Sequence, residues 1–206
     1  MDLMDLVKSQ MAGSVVDQLT QNLGGAERDQ TAAATEGIIN VLMGAMARNA
    51  ATPDGAAALN RALENDHDGS VLDNLGDILS GNTSQVSDRA LNGSGILNHI
   101  LGNRQGSAID MISKMSGLDS SKAGNLMATL APVVMGMLGK AKRQNNLDQG
   151  GITDLLGGFA KQQQSQGNPM GSLLSGFLDA DGDGSIVDDV AGMLGKGLLG
   201  GLFKRR

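Results

Sequence analysis

Asp179, Asp181 and Asp183, followed by Gly184, put a carboxylate at every second position ahead of a glycine. This is the first half of a calcium loop, whose oxygen ligands come from positions one, three and five and whose glycine at six turns the chain sharply. Ser185 would add its carbonyl at position seven. The second half departs from the pattern. Position twelve, where a bidentate Glu belongs, is Val190, and Asp188 and Asp189 stand at ten and eleven. Earlier in the chain Glu64, Asp66, Asp68, Gly69 and Ser70 repeat the arrangement, with Leu75 at twelve. The metal chemistry on offer is therefore weak calcium binding, by Asp179, Asp181, Asp183 and Ser185 and by Asp66 and Asp68.

The same residues suit a plainer purpose, which is preferred. Ser70 with Asp73, and Ser185 with Asp188, read as the Ser-x-x-Asp form of a capping box ahead of an apolar helix. Carboxylates before a helix N-terminus also lie favourably in its dipole, and each cap is worth about 1 kcal/mol. Capping does not account for the density of mutually repelling Asp residues at 179, 181 and 183, so calcium is kept as the alternative.

Catalysis has little to stand on. His67 lies inside the earlier acidic turn and His99 within Ile96-Leu97-Asn98-His99-Ile100-Leu101; neither has metal-ligand spacing to the other or to a carboxylate pair. His99 falls where an apolar stripe passes and reads as a partly buried, hydrogen-bonded histidine. Ser94 or Ser107 could be drawn with it as nucleophile and base, but nothing marks either serine as activated. No catalytic residue, cofactor or small-molecule substrate is assigned.

The 206 residues include no Cys, which removes thiolate metal sites, thiol nucleophiles and disulfides. With 16 basic and 22 acidic side chains the net charge is -6, the wrong sign for a general nucleic-acid binder. Two local basic clusters, Lys140-Ala141-Lys142-Arg143 and Lys204-Arg205-Arg206, read as cations at helix C-termini. Residues 193–203 offer a second alternative, a peripheral position on an anionic membrane surface, weakened by their glycines. Met1-Asp2-Leu3-Met4-Asp5 carries carboxylates where a secretory signal has cations, and the uncharged stretch 123–139 is too short to span a bilayer. The expected location is cytoplasmic.

These groups must be positioned by helices. Leu3, Leu6, Val7, Met11, Val15, Leu19 and Leu23 follow three- and four-residue steps, as do Ile38, Leu42, Ala45 and Met46, and no alternating run reaches strand length. The expected fold is all-α and multihelical, with roughly nine to eleven short helices joined by glycine-rich connections. Glycines after Leu23, Ser80, Leu101 and Leu156 read as stop signals. Thr52 before Pro53, and Asp119, read as N-caps. Pro132 is expected to kink or divide its helix. Met43, Met46, Met135 and Met137 read as core filling, with an adaptable partner surface as the other use of such a Met-rich face.

The chain also repeats itself. Gly13-Ser14-Val15-Val16-Asp17-Gln18-Leu19 recurs as Gly106-Ser107-Ala108-Ile109-Asp110-Met111-Ile112, and Val41-Leu42-Met43-Gly44-Ala45-Met46 as Val133-Val134-Met135-Gly136-Met137-Leu138. The acidic blocks at 66–75 and 181–190 follow in the same order. Two tandem helical repeats are expected, at 1–82 and 83–158. A Gln-rich flexible insertion at 159–172 precedes the acidic turn and C-terminal helix at 173–206, which complete the second repeat.

Three segments carry a family likeness: Gly93-Ser94-Gly95-Ile96-Leu97-Asn98-His99-Ile100-Leu101-Gly102, Leu130-Ala131-Pro132-Val133-Val134-Met135-Gly136, and Asp66-His67-Asp68-Gly69-Ser70-Val71-Leu72-Asp73. In these the chain resembles the YidB-like bacterial family of unknown function, over most of its length up to about Gly158. The resemblance implies an all-helical fold and a bacterial origin, and it carries over no activity. The functional expectation is a non-enzymatic protein acting by association, as a homo-oligomer or with another protein, because two similar halves present similar faces that can repeat between chains.

Overall fold

Segments rich in Ala, Leu, Met, Lys and Gln lose little freedom in a helix. The computed structural model describes residues 13–80 and 82–165, and among these there are helices and turns but no strand. The first half holds α1 (Gly13–Asn22), α2 (Arg28–Ala50), α3 (Pro53–Asn65) and two short helices, α4 (Ser70–Asp73) and α5 (Leu75–Leu79). Residues 82–87, exposed except for a half-buried Val86, lead to the second half. There α6 (Asp88–Leu91) and α7 (Gly93–Leu101) precede a 3-10 turn (Gly102–Arg104), and α8 (Gln105–Ser116), α9 (Ser120–Gln144) and α10 (Gln149–Ser165) follow. The two expected caps form: Thr52 Oγ1 accepts the Gly55 N–H at 3.2 Å and Asp119 Oδ1 accepts the Lys122 N–H at 2.8 Å.

The helices are not all short. α2 has 23 residues and α9 has 25. Each is buried without interruption through its middle, residues 37–46 and 130–139, because the two lie against each other and are wrapped by their neighbours. A helix enclosed on every side has no use for a polar face. Met43, Met46, Met135 and Met137 are all buried in this core. Around the pair, α7 lies on α9, α10 on α2 and α3, and α8 on both long helices, while α1 rests on α2 and α5.

Pro132 does not divide its helix: α9 runs through it. Proline removes the N–H that would bond the carbonyl four residues back, that of Ala128. The start of α7 closes over that carbonyl, with Gly93 pressed against it.

Gly24 and Gly102 stand just past helix ends with positive φ, as the sequence suggests. Gly157 and Gly158 do not end a helix. They lie inside α10, which Ile152, Leu156 and Phe159 bury along one side, and which continues to Ser165 through the first residues of the Gln-rich stretch. Among the described residues no helix is long and apolar enough to cross a membrane.

Candidate functional site

The acidic turn after α3 docks on the C-terminal end of α9. Gly139 of α9 lies so close beneath the turn that a Cβ there would overlap the carbonyl oxygen of His67, and one on Gly136 would overlap Val71 Cγ1. Gly69, with φ of +101°, comes within 3.2 Å of the Lys140 backbone at the point where a Cβ would be. These three glycines seat the turn directly on the helix. The basic cluster of α9 is thereby brought against the acidic residues: Glu64 pairs with Lys142 at 3.0 Å, Asp68 with Arg143 at 3.1 Å and Asp73 with Lys140 at 3.9 Å. Asp66 turns to Arg89 of α6, at 3.7 Å.

Asp66 and Asp68 therefore face separate cations rather than a common centre. Among the described residues no three His, Asp or Glu side chains are placed to hold a metal ion. The carboxylates stay charged to lower pH than usual where they are bonded. Hydrogen bonds from Ser70, and then Arg143, pull Asp68 down; bonds from Lys142 and Asn60 do the same for Glu64. The expected Ser70–Asp73 capping box is replaced by a different cap. Ser70 is already the first helical residue, the N-cap is Gly69, and the Ser70 N–H donates to Asp68 Oδ1 at 3.0 Å. The left-handed glycine needed for close approach to α9 moves the cap back to Asp68. Asp179, Asp181, Asp183 and Ser185 lie outside the described residues, as do Lys204-Arg205-Arg206 and the stretch 193–203.

On the other side of His67 a cavity of about 850 Å³ opens between α2, α3, α6, α7 and the 3-10 turn. Both histidines of the chain line it. His67 is buried and its Nδ1 has no hydrogen-bond partner in the protein. Burial holds its pKa below the ordinary histidine value, against a smaller opposing effect of Asp66. His99 is exposed, not partly buried as its neighbours in sequence suggest, because Ile96, Leu97 and Leu101 take the inward side of α7. Arg48, Arg89 and Arg104 also line the cavity, and Asp66 is the acidic side chain among them. Its apolar wall includes Met46, Leu59, Ile96 and Met135.

A family model covers residues 5–141 of the chain, from before α1 to the last turns of α9. The chain belongs to this family, described as bacterial protein of unknown function (DUF937). The DUF937 match ends inside α9, short of the Gly158 that the sequence motifs suggest. No curated protein and no solved structure matches the chain.

Of the three segments that suggest the DUF937 likeness, 93–102 and 66–73 both lie on α9, which carries the third at 130–136: Gly93 faces Ala128, one turn ahead of Pro132, and Gly136 faces Val71 and Leu72. They form one continuous piece of structure around α9. Missing from the sequence analysis were the three cavity arginines, which stand alone at positions 48, 89 and 104 and line one cavity from α2, α6 and the 3-10 turn. The two separated histidines carried the only sequence signal for that site.

Proposed function

We propose that this protein is a non-enzymatic helical module of the bacterial cytoplasm that works by association, in the first place with further copies of itself. The support lies in one relationship: one pair of the segments that the sequence repeats, 41–46 and 133–138, lies on two helices that pack on each other. In chain order α1, α2 and α3 of the first half correspond to α8, α9 and α10 of the second, and the two long members have 23 and 25 residues. Block 41–46 lies in the buried middle of α2, its partner block 133–138 in the buried middle of α9, and these helices lie together. In this reading the halves are tandem copies, alike in succession though not in every contact. A unit that fits its own copy within a chain can fit the copy on a neighbouring chain. Exchange of halves between two chains rebuilds the α2–α9 contact without new apolar surface. That suits a molecule in which, among the described residues, no Leu, Ile, Val, Met or Phe is exposed. The polar connection at 82–87 would serve as the hinge.

Light scattering after size exclusion, across a wide range of concentration, is the first test, and a dimer that exchanges slowly is expected. The absence of native cysteine permits a second. Chains carrying Asp68→Cys are mixed, unfolded and refolded with chains carrying Arg143→Cys, then treated with a short bis-maleimide. Exchange places the two cysteines of different chains together and yields a linked heterodimer. A strict monomer at the highest concentration, with no interchain link, overturns the proposal.

A further inference from the structure

We propose that the cavity beside His67 is a binding site for a small amphiphilic anion, an acidic head group carried on an apolar body. The site is independent of the association proposed above. Its composition is divided. Arg48 from the last turn of α2, Arg89 from α6 and Arg104 from the 3-10 turn line it from three separate elements, in a chain whose net charge is -6. Half of the six arginines between residues 13 and 165 thus face one concavity (Arg28, Arg61 and Arg143 are the others). Asp66, the carboxylate among them, is already engaged by Arg89, and no carboxylate among the described residues pairs with Arg48. Guanidinium groups at the rim of a cavity suit the planar or tetrahedral oxygens of a carboxylate or phosphate.

The remaining wall is aliphatic. Met46, Leu59, Ile96 and Met135 sit beside the cations, so a bare inorganic anion would leave that surface wet, whereas an alkyl chain would cover it. The volume of about 850 Å³ lies in the range of small-ligand sites. His67 also lines the cavity, as a buried imidazole, and His99 as an exposed one. The first turns of α3 and α7 face the same space through Thr52 and Asn92, whose side chains cap those helices.

The two histidines make the test direct, because the only imidazole signals in the NMR spectrum of the chain both come from this cavity. Dodecyl phosphate below its micellar concentration is titrated into the full chain, with inorganic phosphate, dodecyltrimethylammonium and anionic lipid vesicles as separate arms. Saturable shifts of both imidazoles are expected with dodecyl phosphate, with weaker or no response to inorganic phosphate and none to the cationic amphiphile. Arg48→Ala and Arg104→Ala, each checked for an intact melting transition, should weaken binding roughly tenfold, the usual effect of losing a bond to a charged group. Ala58→Leu, which fills the cavity from α3, should block it. No response to dodecyl phosphate, equal response to the cation, indifference to all three substitutions, or binding to vesicles in place of the monomer overturns the inference.

Discussion

The carbonyl oxygen of Ala128 lies so close to Gly93 that a Cβ on Gly93 would overlap it. Pro132 leaves that carbonyl without its helical donor, and the bare backbone at the start of α7 covers it. Gly93→Ala must therefore push α7 away from α9 and expose the orphaned oxygen. A loss of about 1–3 kcal/mol, the usual range for overpacking, is expected in urea unfolding. Gly157→Ala provides the contrast. It lies within α10 with no atom near its would-be Cβ, and should gain about 0.5–1 kcal/mol from helix propensity. Equal effects at the two sites would contradict the close-approach account.

Asp68 does two jobs that separate by substitution. Its Oδ1 accepts the Ser70 N–H and its Oδ2 pairs with Arg143. The ion pair is about half exposed on both sides and should contribute about 0.2–1 kcal/mol. Asp68→Asn keeps an acceptor for Ser70 and should lose only that amount, matching Arg143→Ala. Asp68→Ala also removes the cap and should cost about 1 kcal/mol more. A double-mutant cycle with Arg143→Ala measures the split; identical losses for the Asn and Ala variants would show that the cap contributes nothing.

How much of this was legible in the sequence depends on the distance over which each signal acts. Caps at Thr52 and Asp119 are local, set by a side chain and the N–H three residues on, and both form as the residue types dictate. Helical periodicity gave the class, yet the lengths of α2 and α9 were underestimated. A helix buried on every side loses the polar stripe by which its extent is read, and the partner that tolerates Pro132 is Gly93, 39 positions away (132 − 93). The acidic turn and the basic cluster were each visible, but their pairing depends on Gly136 and Gly139 admitting the turn. Nothing at positions 48, 89 or 104 marks an arginine as belonging to a cavity, because that property comes from the crossing of helices rather than from neighbours in the chain.

Gly139→Ala tests that docking locally. Its Cβ would meet the backbone carbonyl of His67, which cannot swing aside as a side-chain tip can. The turn should lift, and with it the ion pairs of Asp68 and Asp73. Hydrogen exchange at residues 67–73 should accelerate well before the α2–α9 core loses protection. Uniform acceleration across the whole chain would instead mean that turn and core unfold as one unit.

His67 gives the molecule a pH dependence whose sign follows from its burial. Its folded pKa lies below the ordinary value, chiefly because burial disfavours the imidazolium. Below about pH 6.5 the unfolded chain takes up a proton that the folded chain refuses, so stability falls as pH drops from that point toward the folded pKa. The slope in this window can reach about 1.4 kcal/mol per pH unit for one group. Asp68 acts separately: its lowered pKa stabilises the fold above the ordinary carboxylate range, and that contribution disappears as pH falls through the folded value. Urea midpoints measured between pH 7.5 and 3 should therefore decline in two stages. His67→Gln should flatten the upper stage and leave the lower one in place, while Asp68→Asn should leave the upper stage and shrink the lower, to which Glu64 and Asp119 also contribute. An upper stage that survives His67→Gln would assign the titration to another group and would mean that His67 is not held neutral by its surroundings.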